Sequence, residues 1–425
     1  MATAAQLAQL NTDLTNQGVA LQAKIDAAAA AIVAQSNLLT GVWTVIATIL
    51  VFWMHAGFSL LEAGSIRAKN VQNILFKNLL NVTLTTILWW FWGYAFTFSG
   101  SGDIIGGSEQ AGYAGIDVTD KAGWAFQWAF AATAVTIISG GMAERANTYG
   151  YMITIVWFQL MIYPWIAHWV WGGGWLAENG FYDFAGSAVV HMVGGFAALT
   201  GCYFLGARKG DKKEMQASDI PNVVLGTFIL WMGWYGFNGG AAIGADLYVI
   251  TMNTTIAASV SGFFTVIFYR FYKGRFLIGE FCNGILVGLV AITANCDCVH
   301  DWAAFVIGLL AVPFYFAGQF ILEKAGIDDA IGAFPVHGMG GIWGIIATGF
   351  FKATSGTNGS GVFYPGGTIL GWQLIGIVAI IAWVMVFTAI LMVGLKFAKI
   401  LRIDESTEKK GMDRAFHARK SAIFE

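Results

Sequence analysis

The sequence predicts an all-α polytopic membrane protein of eleven transmembrane helices, built as a 5+5 inverted repeat plus an eleventh helix. Hydrophobic residues make up 57% of its 425 residues and charged residues only 11%, with a mean hydropathy of +0.64. This composition is too apolar for a soluble globular protein. Eleven apolar stretches each have about 20 residues, the length that a ~30 Å hydrocarbon core requires. Their approximate limits are 42–63, 79–99, 123–142, 149–170, 186–206, 221–241, 247–269, 278–298, 302–322, 331–351 and 368–395.

A motif shared by the fifth and tenth spans predicts the repeat. Residues 183–195 and 329–341 align at an offset of 146, and six of their thirteen positions are identical, including His191 and His337. Equivalent helices of an inverted repeat cross the membrane in opposite directions, so their midpoints meet near its centre. We therefore expect the two imidazoles to meet and to satisfy each other, one ring donating a hydrogen bond and the other accepting it.

The two histidines are the first candidate functional residues. An ionisable side chain inside a membrane is costly and indicates a functional site by default, and a shared proton position between two imidazoles is able to relay a proton. The alternative is that both are satisfied core residues, which the repetition disfavours. Asp183 and Asp329 fall near the starts of their helices, where a carboxylate is a favourable cap. Asp329 is expected to cap only, whereas Asp183 either caps or holds the outer vestibule.

Basic residues predict the orientation of the chain. Of its 23 Lys and Arg residues, 20 fall on one side of the predicted spans, and only Lys24, Lys121 and Lys352 fall on the other. Positively charged segments stay in the cytoplasm. We therefore expect a multi-pass protein of the cell (plasma or inner) membrane, with its N-terminus outside and its C-terminus in the cytoplasm.

The chain divides into three regions. Residues 1–38 form an extracellular helical extension, residues 39–398 the membrane domain, and residues 399–425 a cytoplasmic tail. The extension has a modest apolar face, but it lacks the basic start of a signal peptide and is too polar to span a membrane. We expect an external helix that packs on its own protein. A partner-binding arm is the alternative.

Several other functional classes are disfavoured. A net charge of -2 gives no sign of nucleic-acid binding, and no Walker A motif is present to drive transport with ATP. The stretch from Cys296 to His300 has metal-ligand residue types, but its cysteine spacing does not match zinc patterns. These cysteines are expected to be packing residues. The sequence therefore predicts no cofactor and no metal site.

Several motifs, taken in order, resemble the ammonium transporter family (Amt and Mep proteins, related to Rh proteins) over roughly residues 40–415. They are Tyr163 through the Trp171-Gly-Gly-Gly174 turn, Asp183–Gly195, Gly233–Asn238, Asn283–Ala294 and Val336–Gly338. The resemblance implies a homotrimer with one pore in each subunit. It implies transport of ammonium or ammonia, and of methylammonium as a related substrate, and no enzymatic activity.

The resemblance also implies roles for individual side chains. An indole face attracts a small cation, so the implied outer cation site contains Trp171, Phe126 and Asp183. Phe130 and Phe237 are implied to be a stacked gate below that site, with His191 and His337 lining the pore beneath. Without the resemblance, most of the 18 Trp and 33 Phe residues are expected to face lipid or to form interfacial belts.

Two departures from the family pattern are visible. Ala241 stands four residues after Phe237, where the family usually has a serine, so one ammonium acceptor worth ~1 kcal/mol is missing. Gly411-Met412-Asp413 followed by His417 resembles the family's regulatory tail, but the later part of that pattern is replaced at 418–420. A PII-type regulatory partner therefore stays open.

Three functions are weighed against one another. The twin histidines and aromatic residues favour inward movement of ammonium. Ala241 and the two terminal segments are also compatible with an ammonium sensor that signals to a partner, although no output domain is fused. An intramembrane metalloenzyme using the histidines is disfavoured, because no His-Glu-x-x-His helix or convergent carboxylates accompany them.

Overall fold

The computed structural model describes residues 2–113, 116, 120–210, 215–353 and 359–417. Within these ranges the chain is helical and has no β-strand, which confirms the predicted all-α fold. Lys212, Lys213 and the end of the tail, residues 418–425, lie outside the described residues.

The described residues of the membrane domain form eleven helical spans. They are α1 (Ala4–Ser65), α2 (Ala68–Phe98), α3 (Lys121–Gly141), α4 (Thr148–Glu178), α5 (Ser187–Leu205), α6 (Ile220–Gly239), α7 (Ala245–Lys273), α8 (Ile278–Thr293), α9 (Asp301–Ala325), α10 (Phe334–Met339 continued by Gly340–Phe351) and α11 (Leu370–Phe397). Among the described residues, nine are long and apolar enough to cross a bilayer by themselves. The other two are α8, with 16 residues, and α10, whose segments have 6 and 12 residues.

Glycines allow the two halves of the repeat to approach closely. Helices α1 and α6 begin the two halves, and a Cβ added to Gly226 would stand 2.6 Å from the backbone nitrogen of Leu61. Helices α5 and α10 end the halves, and a Cβ on Gly195 would stand 2.2 Å from the backbone nitrogen of Gly338. Small residues at such crossings let the backbones meet, and the second crossing lies beside the two histidines.

The N-terminal extension differs from the expectation. Instead of folding back on the protein, it continues into the first span as one helix of 62 residues, and residues 2–40 are exposed. Thr3 and Gln6 form a capping box at its start, and the alanine run at 27–31 favours helix. The prediction of self-packing was wrong because no turn signal interrupts the helix. At ~1.5 Å per residue, the exposed part reaches ~55 Å from the membrane domain.

Charged side chains cluster on the face that carries the C-terminal segment, here called the tail face. Glu144 accepts hydrogen bonds from Arg67 and from Arg208, and Arg208 also pairs with Asp328 at 2.8 Å. Burial opposes ionisation of Asp328, but the hydrogen bond and charge of Arg208 outweigh it and hold the Asp328 pKa at about 2. Burial likewise opposes the charge of Arg208, yet Asp328 and Glu144 raise its pKa above the ordinary value. This network joins the segments that follow α1, α3, α5 and α9.

The tail packs against this network. A short helix, Glu405–Lys410, presents Glu408, which accepts from the Lys209 backbone at 2.6 Å and pairs with Arg402 at 2.8 Å. Asp413 accepts from the backbone nitrogens of Gln72 and Asn73, each at 2.9 Å. The tail therefore lies against the loop at Lys209 and the first turns of α2.

Candidate functional site

The structure brings the two predicted histidines together. His191 in α5 and His337 in α10 are 0% and 5% exposed. Their Nδ1 atoms lie 3.2 Å apart, and their rings are stacked with centroids 5.2 Å apart. One Nδ1 therefore donates and the other accepts. Nε2 of His191 is buried and has no hydrogen-bond partner among the described residues.

The sequence explains why each histidine lies one turn inside its helix. Asp183 accepts four backbone N–H groups: those of Gly186 and Ser187 at 2.9 Å on Oδ1, and those of Ala188 and Val189 at 2.8 and 3.0 Å on Oδ2. These N–H groups belong to the first turn of the helix, where no backbone acceptor is available. Gly186 has a φ of 108°, which suits glycine at this turn.

The second half repeats this arrangement with fewer bonds. Asp329 accepts from the backbone nitrogens of Ile331 at 3.4 Å, Gly332 at 3.1 Å and Phe334 at 2.8 Å, and Gly332 has a φ of 78°. Both helices then begin with a π-helical turn that contains the histidine. The shared aspartate, glycine and histidine positions of the sequence repeat therefore correspond to a shared local structure.

Asp183 contributes to the outer end of the site through its backbone. Its carboxylate is 4% exposed and is occupied by the helix start. Its carbonyl oxygen accepts from Nε1 of Trp171 at 2.8 Å. Burial raises the pKa of Asp183 to about 6, and the four N–H bonds oppose the rise. The capping role expected of Asp183 thus has a geometric basis.

A row of aromatic rings leads from Trp171 to the histidines. Trp171 lies edge-on to Phe130 at 5.8 Å, and Phe130 stacks on Phe237 with centroids 4.1 Å apart. Phe237 in turn stacks on His191 at 5.3 Å. Phe126 flanks the row, with its ring 4.7 Å from Phe130. The predicted gate residues therefore form one stack between Trp171 and the histidine pair.

Two further predicted residues lie differently. Ala241 is exposed in the turn that follows α6 and offers only a methyl group there. Tyr163 is fully buried, packing between Phe158 and Trp89, and its hydroxyl has no partner among the described residues. The geometry therefore gives Tyr163 a packing contact with these two rings.

Sequence reasoning missed two residues beside the histidines. The ring of Trp234 stacks on His191 at 5.1 Å, and its Nε1 donates to Thr293 at 2.9 Å. Trp234 belongs to a quoted motif, but no role was expected for it. Glu62 lines a small cavity together with His337. A lone glutamate inside the first apolar span was the available signal.

Cys296 and Cys298 lie in the stretch whose cysteines are expected to be packing residues. Both are buried free thiols, and their sulfur atoms lie 3.8 and 3.5 Å from carbonyl oxygens three residues earlier. Among the described residues, no three His, Cys, Asp or Glu side chains are grouped to hold a metal.

Comparisons with known proteins agree with this geometry. A family model described as Ammonium Transporter Family matches residues 42–422. The chain is 37% identical to Ammonium transporter Amt2 of Archaeoglobus fulgidus, with 89% of this chain and 86% of that protein covered. Its structure is similar to that of a Sensor Amt Protein, with a TM-score of 0.83, 31% identity, and 90% and 99% of the two chains covered. It is also similar to Candida albicans Mep2, with a TM-score of 0.81, 28% identity and 86% of each chain covered. The chain belongs to the ammonium transporter family.

Proposed function

We propose that this chain moves ammonium across the membrane by separating its proton from ammonia at the twin histidines. The observation that carries the proposal is the buried pair of His191 and His337, joined at 3.2 Å directly beneath a stacked aromatic gate. The row above the pair is apolar. An unpaired charge is strongly disfavoured in such surroundings, so an intact ammonium ion needs either proton relay or compensation of its charge.

Each part of the row has a distinct task in this proposal. Trp171 attracts the cation through its indole ring. The stacked pair of Phe130 and Phe237 excludes bulk water and must part for each passage. His191 offers a free Nε2 below the gate, and its Nδ1 bond to His337 gives the proton a path along the pair. Ammonia crosses the same region as a neutral molecule.

The assembly and orientation belong to the same proposal. The chain would work as a homotrimer in the plasma or inner membrane, with one pore in each subunit and the tail face in the cytoplasm. The charge bias of the sequence supports this orientation. A PII-type protein would act at the tail face, where the tail already contacts the loop at Lys209 through Glu408 and the start of α2 through Asp413.

The test is an electrical recording from purified protein in liposomes of defined lipid. An ammonium step should produce a saturable current that a sodium step of equal ionic strength does not. Expression in cells that lack their own ammonium uptake should also restore growth on limiting ammonium. Protein that folds, inserts and gives neither result would contradict transport.

Sensing is the second candidate, and a specific observation favours it. The structure is similar to that of a Sensor Amt Protein over 90% of the chain, and the exposed N-terminal helix offers a surface for a partner. A sensor would bind ammonium in a titration yet carry no current and restore no growth. Current with the kinetics of transport would exclude sensing as the main activity.

A further inference from the structure

A small cavity lies below the histidine pair, on the side toward the tail face. His337 and Glu62 line it, and Phe58, Leu61 and Leu286 add apolar walls. It leaves about 10 Å³ for the centre of a water-sized molecule. That is room for about one molecule the size of water or ammonia. Glu62 and His337 therefore face the same small space.

Glu62 has one oxygen that the protein does not use. The residue is 0% exposed. Its Oε2 accepts from Asn78 at 3.1 Å and from Ser139 at 3.4 Å, whereas its Oε1 has no hydrogen-bond partner among the described residues. A buried polar atom without a partner is costly, and a carboxyl group inside a membrane is more so. The cavity that Glu62 lines has space for one such partner.

Several polar and charged groups surround Glu62. Lys77 of α2 is 1% exposed and interacts with Glu62 through its charge. Nζ of Lys77 lies 4.8 Å from the ring centre of Tyr151, and the Tyr151 hydroxyl also interacts electrostatically with Glu62. Glu144 and Arg145, which lie near the tail face, interact electrostatically with Lys77. Lys77 therefore places a positive charge near Glu62, although the two do not form an ion pair among the described residues.

We propose that Glu62 is the proton-exchanging group at the inner end of the pore, an inference that rests on the proposed transport of ammonium. In its carboxylate form, Oε1 takes the proton that leaves the histidine pair through the molecule in the cavity. In its neutral form, it gives that proton to an ammonia molecule that has crossed the pore. The carboxyl O–H bond breaks, a fourth N–H bond forms, and ammonium leaves toward the tail face. The carboxylate is thereby restored.

The competing explanation is that Glu62 and Lys77 only compensate each other's charge in the fold. Removing one member of a buried pair destabilises a protein strongly, whereas replacing both members is often neutral. Two variants therefore separate the explanations. Glu62→Gln keeps the size of the side chain and an oxygen that accepts from Asn78, but it cannot exchange a proton. Glu62→Gln with Lys77→Met also removes the charge left behind on the lysine.

The matched control is Glu280→Gln. Glu280 is a second carboxylate of the membrane domain. It is half-buried in the first turn of α8 and accepts from Tyr315 at 2.6 Å and Gln319 at 3.1 Å. It does not line the cavity below the histidines. Its replacement changes a membrane carboxylate that Tyr315 and Asn283 separate from the cavity.

The experiment measures ammonium-driven current in liposomes with the tail face inside, at equal amounts of folded protein. We expect Glu62→Gln to reduce the current by about 100-fold or more, the scale of a positioned proton-transfer group. The double variant should stay equally low, and Glu280→Gln should match the wild type. Wild-type current should rise with internal pH, because Glu62 must lose its proton on that side. The residual current of Glu62→Gln should not respond to internal pH.

Two results would overturn the inference. One is a Glu62→Gln variant with normal current and normal response to internal pH. The other is a double variant that recovers wild-type current, which would leave Glu62 a charge-compensating role only. A wild-type chain without ammonium-dependent current would instead contradict the proposed function itself, together with this inference.

Discussion

Replacing Asp183 by alanine should destabilise the protein more than the equivalent change at Asp329. Asp183 satisfies four buried backbone N–H groups at 2.8–3.0 Å. Asp329 satisfies three, one of them at 3.4 Å. Each buried donor left unpaired costs about 1 kcal/mol or more. The expected losses are therefore about 4 kcal/mol for Asp183→Ala and about 3 kcal/mol for Asp329→Ala, before any compensation by water.

Asp183→Asn provides a graded intermediate. Its amide oxygen still accepts two N–H groups, but its NH₂ group faces the other two donors, so about half of the stabilisation should remain. The assay is the thermal unfolding of purified protein in one detergent, with ammonium current recorded from the folded fraction. The melting temperature should fall in the order wild type, Asp183→Asn, Asp183→Ala. Equal melting temperatures for Asp183→Ala and wild type would refute the capping argument.

Three further predictions concern the outer site and the tail face. Trp171→Leu should raise the half-saturating ammonium concentration of the current by roughly 5- to 30-fold, since a partly desolvated cation–π contact is worth ~1–2 kcal/mol; an unchanged value would remove Trp171 from the site. Ala241→Ser should lower that concentration about fivefold by adding an acceptor worth ~1 kcal/mol, and a flat or opposite response would show that the turn holds position 241 away from the cation. Arg208 depresses the folded-state pKa of Asp328 from 3.8 to about 2. The ionised Asp328 should therefore stabilise the protein above about pH 4, and this stabilisation should vanish as the pH falls from about 4 to about 2. Unfolding measured against pH should show that loss in the wild type and not in Asp328→Asn.

The twin histidines show what a sequence repeat can predict. The shared spacing of aspartate, glycine and histidine in residues 183–195 and 329–341 was enough to place both side chains in one buried pair. Helix capping by aspartate follows the same local chemistry. The aromatic stack of Phe130 and Phe237 was implied by family resemblance, because 33 Phe residues offer no periodic signal that singles out these two.

Other features depend on distances that sequence does not contain. The span of α2 was expected from residue 79, but the helix begins at Ala68. Its first turns carry Asn73 and Lys77, which lowers their hydropathy. These side chains are buried, and Asp413 of the tail caps the backbone at Asn73. The partner lies 340 residues away along the chain, so local pattern could not reveal it.

The N-terminal helix was misjudged for a related reason. The apolar face of residues 1–38 suggested that the helix needs a surface of its own protein to cover it. A helix is held straight by its internal hydrogen bonds, and folding back requires a turn that the sequence lacks. The apolar face is therefore left exposed, as Leu7, Leu14 and Leu21 show at 58%, 58% and 61% exposure.

The central claim is that His191 and His337 act as one proton-handling unit, and current from single and double variants tests it most directly. His191→Ala and His337→Ala should each abolish ammonium-driven current or severely alter its selectivity. Because the two rings share one hydrogen bond of 3.2 Å, the double variant should be little worse than the worse single variant. Mild and fully additive losses, with normal selectivity for ammonium, would show that the histidines only pack.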